Sequence, residues 1–328
     1  MALRQVLALQ ILAVTVAGLM LLASIPAALA QQWPSRTVKV VVPYGVGGVT
    51  DTMARLTADR LGKIFNQTFI IENKPGAGGA LGVSYAMNAA QDGYTILFIG
   101  STMFTVLPLA HDVNYVPLKD LVPVSITGTN GMVMVVDKSA PFSTLREFID
   151  YAKANPGKLT YASGGAATNN HLDTAYLAGR EKIDMVHVPF TGGQAALTAV
   201  LSKTVDMHFG NSSDLVEPVK AGTVKALAVS TRERMPQLPN VPTVAETVPG
   251  FEYVAWNGYA VTGGVPKDVI DRLAGALQTI AKDPDVIKIF SSLGIESVGS
   301  SPEEAVASLR KDMPIYSEMV DMAGVRKK

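Results

Sequence analysis

Residues 43–51 read PYGVGGVTD, a glycine-rich turn between an apolar run, Val38 to Val42, and a helix-like segment, Thr52 to Phe65. A turn of this kind aims the free N–H groups of the following helix, and the positive end of its dipole, at a space where an anion can sit. Gly47 and Gly48 permit close backbone approach and unusual dihedrals. Thr50 offers a hydroxyl. Asp51 is expected to cap the helix by accepting a backbone N–H, with its charge turned away from any bound anion. A dinucleotide fingerprint would need a third glycine where Thr50 stands, and a P-loop would need Gly-Lys-Ser/Thr after the turn. Neither is present.

The pattern around this turn recurs. TFIIEN (68–73) leads into KPGAGGALG (74–82), and YTILFIG (94–100) closes a first set. Later, KLTYAS (158–163) leads into GGAATNNHLDTAYLAG (164–179), DMVHVPF (184–190) into TGGQAALTAVL (191–201), and DMHFGN (206–211) closes a second set. The double glycines at 47 and 78, and at 164 and 192, are 31 and 28 residues apart. Strands alternating with helices imply parallel pairing. The chain therefore reads as an α/β protein of two similar lobes, each a mostly parallel sheet flanked by helices. Lobe 1 is expected over residues 31–130 and 251–328, and lobe 2 over 131–250. Met53, Leu56, Leu61 and Ile64 are expected on the buried face of the first helix, and Val269, Ile270, Leu273, Leu277 and Ile280 on that of a later one. Ser301, Pro302 and Glu304 form the signature of a capped helix start. The C-terminal helices are expected to pack back on the first lobe.

Arg4 is the only charge before a long apolar run, and IPAALA (25–30) ends in an Ala-x-Ala site. The run is long enough to span a membrane, but Pro26 and the small-x-small end fit a cleaved signal peptide over residues 1–30. Without Arg4 the rest of the chain carries 27 basic and 28 acidic residues, a net charge near −1, which gives no footprint for nucleic acid. There is no cysteine, and so no disulfide or thiol chemistry.

Enzymatic constellations are thin. There is no G-x-S-x-G elbow, H-E-x-x-H or cysteine nucleophile. His111, His171, His187 and His208 have no metal-ligand spacing. No cofactor or metal site is expected, although a catalytic pair assembled only by the fold, as in an exported hydrolase acting on a carboxylate derivative, stays open. The second turn, with Ser163, Thr168 and Asn169 as neutral donors and His171 one helical turn in, mirrors the first. Two such turns facing each other suit an anionic ligand.

VVVPYGVGGVTDTMAR, IIENKPGAGGALG, DGYTILF, YASGGAATNNHL, VHVPFTGGQAALTAVL and KALAVSTRERMPQLPNVPTVAE together resemble the substrate-binding receptors of tripartite tricarboxylate transporters, the Bug receptors. The resemblance runs from about Trp33 to Tyr316. It implies a type II (Venus-flytrap) periplasmic binding protein, monomeric, that closes around a small organic acid and delivers it to membrane permease subunits or to a sensor kinase. It implies first-turn contacts from Tyr44, Gly45, Val46, Gly47, Gly48, Val49, Thr50 and Asp51. It further implies second-turn contacts from Ser163, Gly164, Thr168, Asn169 and His171, and a third loop at Phe209, Gly210 and Asn211. Two stretches depart from the family pattern: Ala166-Ala167 stands where asparagine and glycine are usual, followed by Asn169-Asn170 where serine and a variable residue are common, and Gly210 stands where aspartate is common. Gly210 is expected to leave room for a bulkier or more apolar ligand, such as an aromatic acid.

Overall fold

The computed structural model describes residues 32–328, so the signal peptide expected over residues 1–30 lies outside the described residues. The chain divides into Met1–Arg36 and a compact body, Thr37–Lys328, to which every element below belongs.

The body starts with β1 (Val38–Val42), α1 (Val49–Phe65), β2 (Phe69–Asn73), α2 (Ala80–Met87) and β3 (Thr95–Gly100), followed by the short helices α3 (Thr102–Thr105) and α4 (Leu107–Ala110). β1 is four-fifths valine and buries every residue but Lys39, as suits a strand covered on both faces. After β4 (Leu121–Asn130) and β5 (Met132–Asp137) come α5 (Leu145–Ala154), β6 (Thr160–Ser163), α6 (Asn169–Glu181), β7 (Val186–Pro189), α7 (Gly193–Leu201), β8 (Met207–Asn211), α8 (Ser212–Lys220) and β9 (Val224–Val229). The chain ends with β10 (Ala255–Thr262), α9 (Lys267–Ile280), α10 (Pro284–Ser292), β11 (Ile295–Ser297) and α11 (Pro302–Met322).

Two sheets result, with strand orders β11-β4-β10-β3-β1-β2 and β7-β6-β8-β5-β9. The expected duplication is visible in their topology. β2-β1-β3 and β7-β6-β8 are parallel triplets of the same order, each built by two βαβ crossovers. The sheets are nevertheless mixed, not mostly parallel. β10 runs antiparallel to β3 and β4, β11 to β4, and β5 to β8 and β9. The strands that carry the chain from one sheet to the other enter each triplet's edge in the reverse sense. The two passages lie side by side. Gly131 alone separates β4 from β5, and Ser230 N–H donates to Met132 O while Met132 N–H donates to Ser230 Oγ, both at 2.9 Å.

Helix burial follows the pattern with local shifts. α1 buries Met53, Ala54, Thr57, Ala58 and Leu61, whereas Leu56 is half-buried and Ile64 exposed. Its contact face is narrowed by Thr57, whose hydroxyl bonds Met53 O at 2.8 Å and the Tyr259 hydroxyl at 2.9 Å. On α9, Ala274 and Ala276 are buried while Ile270 is half-buried. The last helix does not stay with the first sheet. Ala305 and Leu309 pack among Leu97, Ile99 and Met103, but Tyr316, Met319 and Val320 join the core built on Met132, Phe148 and Leu172.

α11 begins with the expected capping box: Glu304 N–H donates to Ser301 Oγ at 3.1 Å, and Ser301 N–H to Glu304 Oε2 at 2.7 Å. Ser301→Ala therefore lowers unfolding free energy by about 1 kcal/mol, read as a shift of the urea midpoint with unchanged slope.

Candidate functional site

A cleft of about 430 Å³ opens where the carboxyl ends of the parallel strands of both sheets meet, the usual place for a ligand in such folds. Its walls come from the turns after β1 and β3 and from the start of α6. Asn130, Asn211, Trp256 and Asn257 complete it from the strands between the sheets. A larger cavity of about 650 Å³, lined by Thr129, Gly131, Arg232, Glu252 and Glu296 among others, receives no helix N-terminus and mixes both signs of charge. The smaller cleft is the better candidate on chemistry.

In the first turn, Gly47 sits at φ 86°, a left-handed conformation that glycine takes without strain. Gly48 is the N-cap of α1, and no side chain caps it. Added at Gly48, a Cβ would meet only Gly45 O at 3.9 Å, so this glycine is not required by crowding within the turn. The Asp51 carboxylate accepts from Gly47 N–H at 2.9 Å, Arg55 Nε at 2.9 Å and Asn73 Nδ2 at 2.8 Å. It reaches back from the third helical position and is not itself the N-cap. Burial pushes the Asp51 carboxyl up, but these three hydrogen bonds together outweigh it and hold the pKa below the ordinary value of 3.8. The charge beside the cleft is thus tied and neutralised. Thr50 Oγ1 donates to Asn257 Oδ1 at 2.8 Å, which joins the turn to β10. Tyr44, Gly45, Val49 and Thr50 line the cleft; Gly47, Gly48 and Asp51 shape it without lining it, and Val46 is 74% exposed.

The second turn contributes differently from expectation. Ser163 is fully buried away from the cleft, 2.6 Å from His187 Nε2 and bonded to Gly165. Neither partner of that serine–histidine contact lines the cleft; His187 faces a separate cavity of about 590 Å³ with Tyr161 and His171. Gly164 faces Gly192 and Asn170; a Cβ there would sit 3.3 Å from Gly192 backbone. His171 is buried and stacked on His187, ring centroids 3.9 Å apart, outside the cleft. Burial and then the neighbouring His187 lower its pKa to about 4, so its neutral Nδ1 accepts Ala167 N–H at 3.3 Å. Thr168 and Asn169 do line the cleft. Thr168 Oγ1 already donates to Gly165 O at 2.7 Å, so its proton is committed within the turn.

From the third loop, Asn211 lines the cleft and Gly210 does not. A Cβ at Gly210 would lie 2.3 Å from His208 Nε2 and 2.8 Å from Leu215 Cδ1. The missing side chain makes room for the His208 ring, not for a ligand, which corrects the expectation drawn from that position.

Helix starts explain the electrostatics. Away from the cleft, α5, α10 and α11 are capped by the side chains of Thr144, Asp283 and Ser301. α7 and α9 begin at Gly192 and Pro266, which have no side-chain acceptor. α6 and α8 begin at Thr168 and Asn211, both good capping residues, yet neither caps. Thr168 is diverted to Gly165 O, and Asn211 Oδ1 accepts Asn130 Nδ2 at 3.0 Å. With α1 and α2, the latter starting at the cleft-lining Gly79, four helices of two turns or more begin at the cleft without a side-chain cap, although at α8 the Ser212 N–H is already bonded to Gly131 O at 3.0 Å. No Lys, Arg, Asp or Glu lines the cleft. Apart from the His111 imidazole, an anion placed there meets backbone N–H, amide, hydroxyl and indole donors. Among the described residues no group of three His, Cys, Asp or Glu is placed to hold a metal.

Sequence reasoning missed Asn130, Trp256 and Asn257. Trp256 is 2% exposed, and its Nε1 has no hydrogen-bond partner. For Asn257 the one local signal is an amide inside the apolar run AWNGYAVT; Asn130 ends the separate strand β4.

Asp51→Asn should lower unfolding free energy by about 1–3 kcal/mol at neutral pH, the cost of a broken buried hydrogen-bond set. Because the folded pKa is depressed, the wild-type advantage is complete above the unfolded value near 3.8 and vanishes as pH falls through the lower folded value. Urea titrations at pH 7 and pH 3 measure both.

Residues 53–313 match the family model described as tripartite tricarboxylate transporter family receptor. A UPF0065 protein from Pseudomonas sp. (strain P51) is 35% identical over 291 residues, covering 88% of this chain and 86% of the relative. A structure of an R. palustris protein with adipate superposes with TM-score 0.81 at 28% identity, covering 90% of this chain and 99% of that one. MatC from Rhodopseudomonas palustris with bound malate gives TM-score 0.78 at 30% identity, covering 88% and 100%. The architecture of two mixed sheets flanked by helices agrees with these matches, and the chain belongs to the tripartite tricarboxylate transporter receptor family.

Proposed function

We propose that the body of this chain is an extracytoplasmic receptor that holds the carboxylate of a small organic acid in the cleft and delivers it to the membrane permease of a tripartite transporter. The observation that carries this reading is the convergence of uncapped helix starts, those of α1, α2, α6 and α8, on a cleft with no Lys, Arg, Asp or Glu in its wall. A carboxylate is small and planar and accepts several such bonds at once. The relatives solved with adipate and malate support the ligand class.

In this reading the lobes are residues 31–130 with 251–328, and residues 131–250. They hinge where Gly131 and Ser230 lie side by side, and ligand favours the closed form because only there do both sets of donors reach it. Residues 1–30 direct export, and the mature protein works as a monomer in the periplasm. Within the cleft the strongest donor candidates are the first-turn N–H groups of α1 and α6 and the amide of Asn257. Thr50 fixes that amide's oxygen and so leaves Nδ2 to the ligand.

Isothermal titration of ligand-free mature protein with malate, adipate and monocarboxylates of similar size should give saturable binding to at least one acid. Asn257→Ala should weaken that binding by about 1.5–3 kcal/mol, roughly 10- to 150-fold. If no acid binds, the carboxylate reading fails. Unchanged affinity in Asn257→Ala would remove that residue from the site.

A further inference from the structure

We propose that the part of the cleft lined by Met103, Val106, Leu107, Ala166 and Ala167 is an apolar subsite, and that the ligand is a monocarboxylate with an apolar alkyl or aromatic tail, not a dicarboxylate. The proposal rests on the carboxylate reading above and names the class of acid.

Three observations carry it. First, Met103, Val106 and Leu107 on α3–α4 line one wall and Ala166 and Ala167 the other. The glycine turn before α2 admits this wall: a Cβ at Gly79 would lie 2.8 Å from Met103 Sδ, and one at Gly78 would lie 3.6 Å from Leu107 Cδ1. Ala167 also packs against the core cluster that contains Val106.

Second, Ala167 stands at φ 60°, a left-handed conformation that disfavours any side chain. The backbone is held there by the Ala167 N–H to His171 Nδ1 bond. Glycine would relieve the strain, yet a methyl group occupies the position. Strain retained at a ligand-facing residue points to a role for the atoms that cause it. Here that role is apolar contact across the cleft.

Third, the hydroxyls on this side are already paired. Ser101 Oγ lies 2.9 Å from the Tyr316 hydroxyl, and Thr102 bonds Tyr44. A second carboxylate set against Met103, Val106, Leu107 and the two alanines would lose water to apolar side chains, which is costly for a charge. An apolar tail loses nothing there. The one ionisable nitrogen on the cleft wall is the exposed His111, beside Gly78.

Hexanoate and adipate make a matched probe, since they share a six-carbon chain and differ only in whether the far end is methyl or carboxylate. Isothermal titration of the ligand-free mature protein should show hexanoate or phenylacetate binding at least tenfold more tightly than adipate. Ala167→Gly should raise the thermal midpoint while weakening hexanoate about fourfold, the contribution of one buried methyl group. Leu107→Gln should erase the preference for hexanoate over adipate. His111→Gln should leave that preference intact. Adipate binding as tightly as hexanoate, or Ala167→Gly leaving hexanoate affinity unchanged, overturns the proposal. If malate or adipate binds and the tail-bearing acids do not, the carboxylate reading stands and this one falls. If no acid binds at all, both fall.

Discussion

The Thr50 hydroxyl reaches Asn257 across 2.8 Å and ties the first βα turn to the strand that returns from the second sheet. The rest of the cleft depends on this contact. It fixes which end of the Asn257 amide is spent on the protein and which is left over. It holds the start of α1 against β10, so that the unpaired N–H groups of that helix face the same space as those of α6. In the function proposed above, the two-lobed architecture serves one requirement: two sets of donors must meet on a ligand that neither lobe could hold alone. With no Lys or Arg in the wall, that proposal has geometry substitute for charge, and several modest bonds replace one ion pair.

The site is costly to the fold in two visible places. Asp51 is a carboxylate set next to an anion cradle, where its charge would repel the ligand. Arg55, Asn73 and the Gly47 N–H bind it from the side, which both neutralises it and pins the turn. Ala167 keeps a left-handed backbone without glycine's freedom, steadied by a histidine that burial keeps neutral. His171 therefore acts on the cleft through the turn it supports. The stacked His171–His187 pair reads as scaffold, not as chemistry.

Much of this was legible in the residues. PYGVGGVTD announced a strand, a left-handed glycine and a helix start, because those demands are local and only glycine meets them cheaply. The repeated double-glycine turns announced the duplicated triplets, because βαβ units leave a periodic trace. What was not legible arises from contacts between distant segments. Asn257 and Trp256 sit in an apolar strand and look like exceptions to a pattern until β10 is placed beside β3. Gly210 suggested space for a ligand, but its space belongs to His208, two residues away on the same side of the strand. Thr168 looked like a donor, and nothing in the sequence says that its proton goes to Gly165. The mixed sense of the sheets followed from where the chain crosses, which periodicity does not encode.

The central claim is that neutral donors hold a carboxylate in this cleft, and a pair of ligands tests it most directly. Titration of ligand-free protein with its tightest-binding acid and with the primary amide of the same carbon skeleton compares an acceptor-only anion with a neutral group of nearly equal shape. The account predicts that the amide binds at least a hundredfold more weakly, because its NH₂ faces donors and its charge is gone. Equal affinity for acid and amide would contradict it.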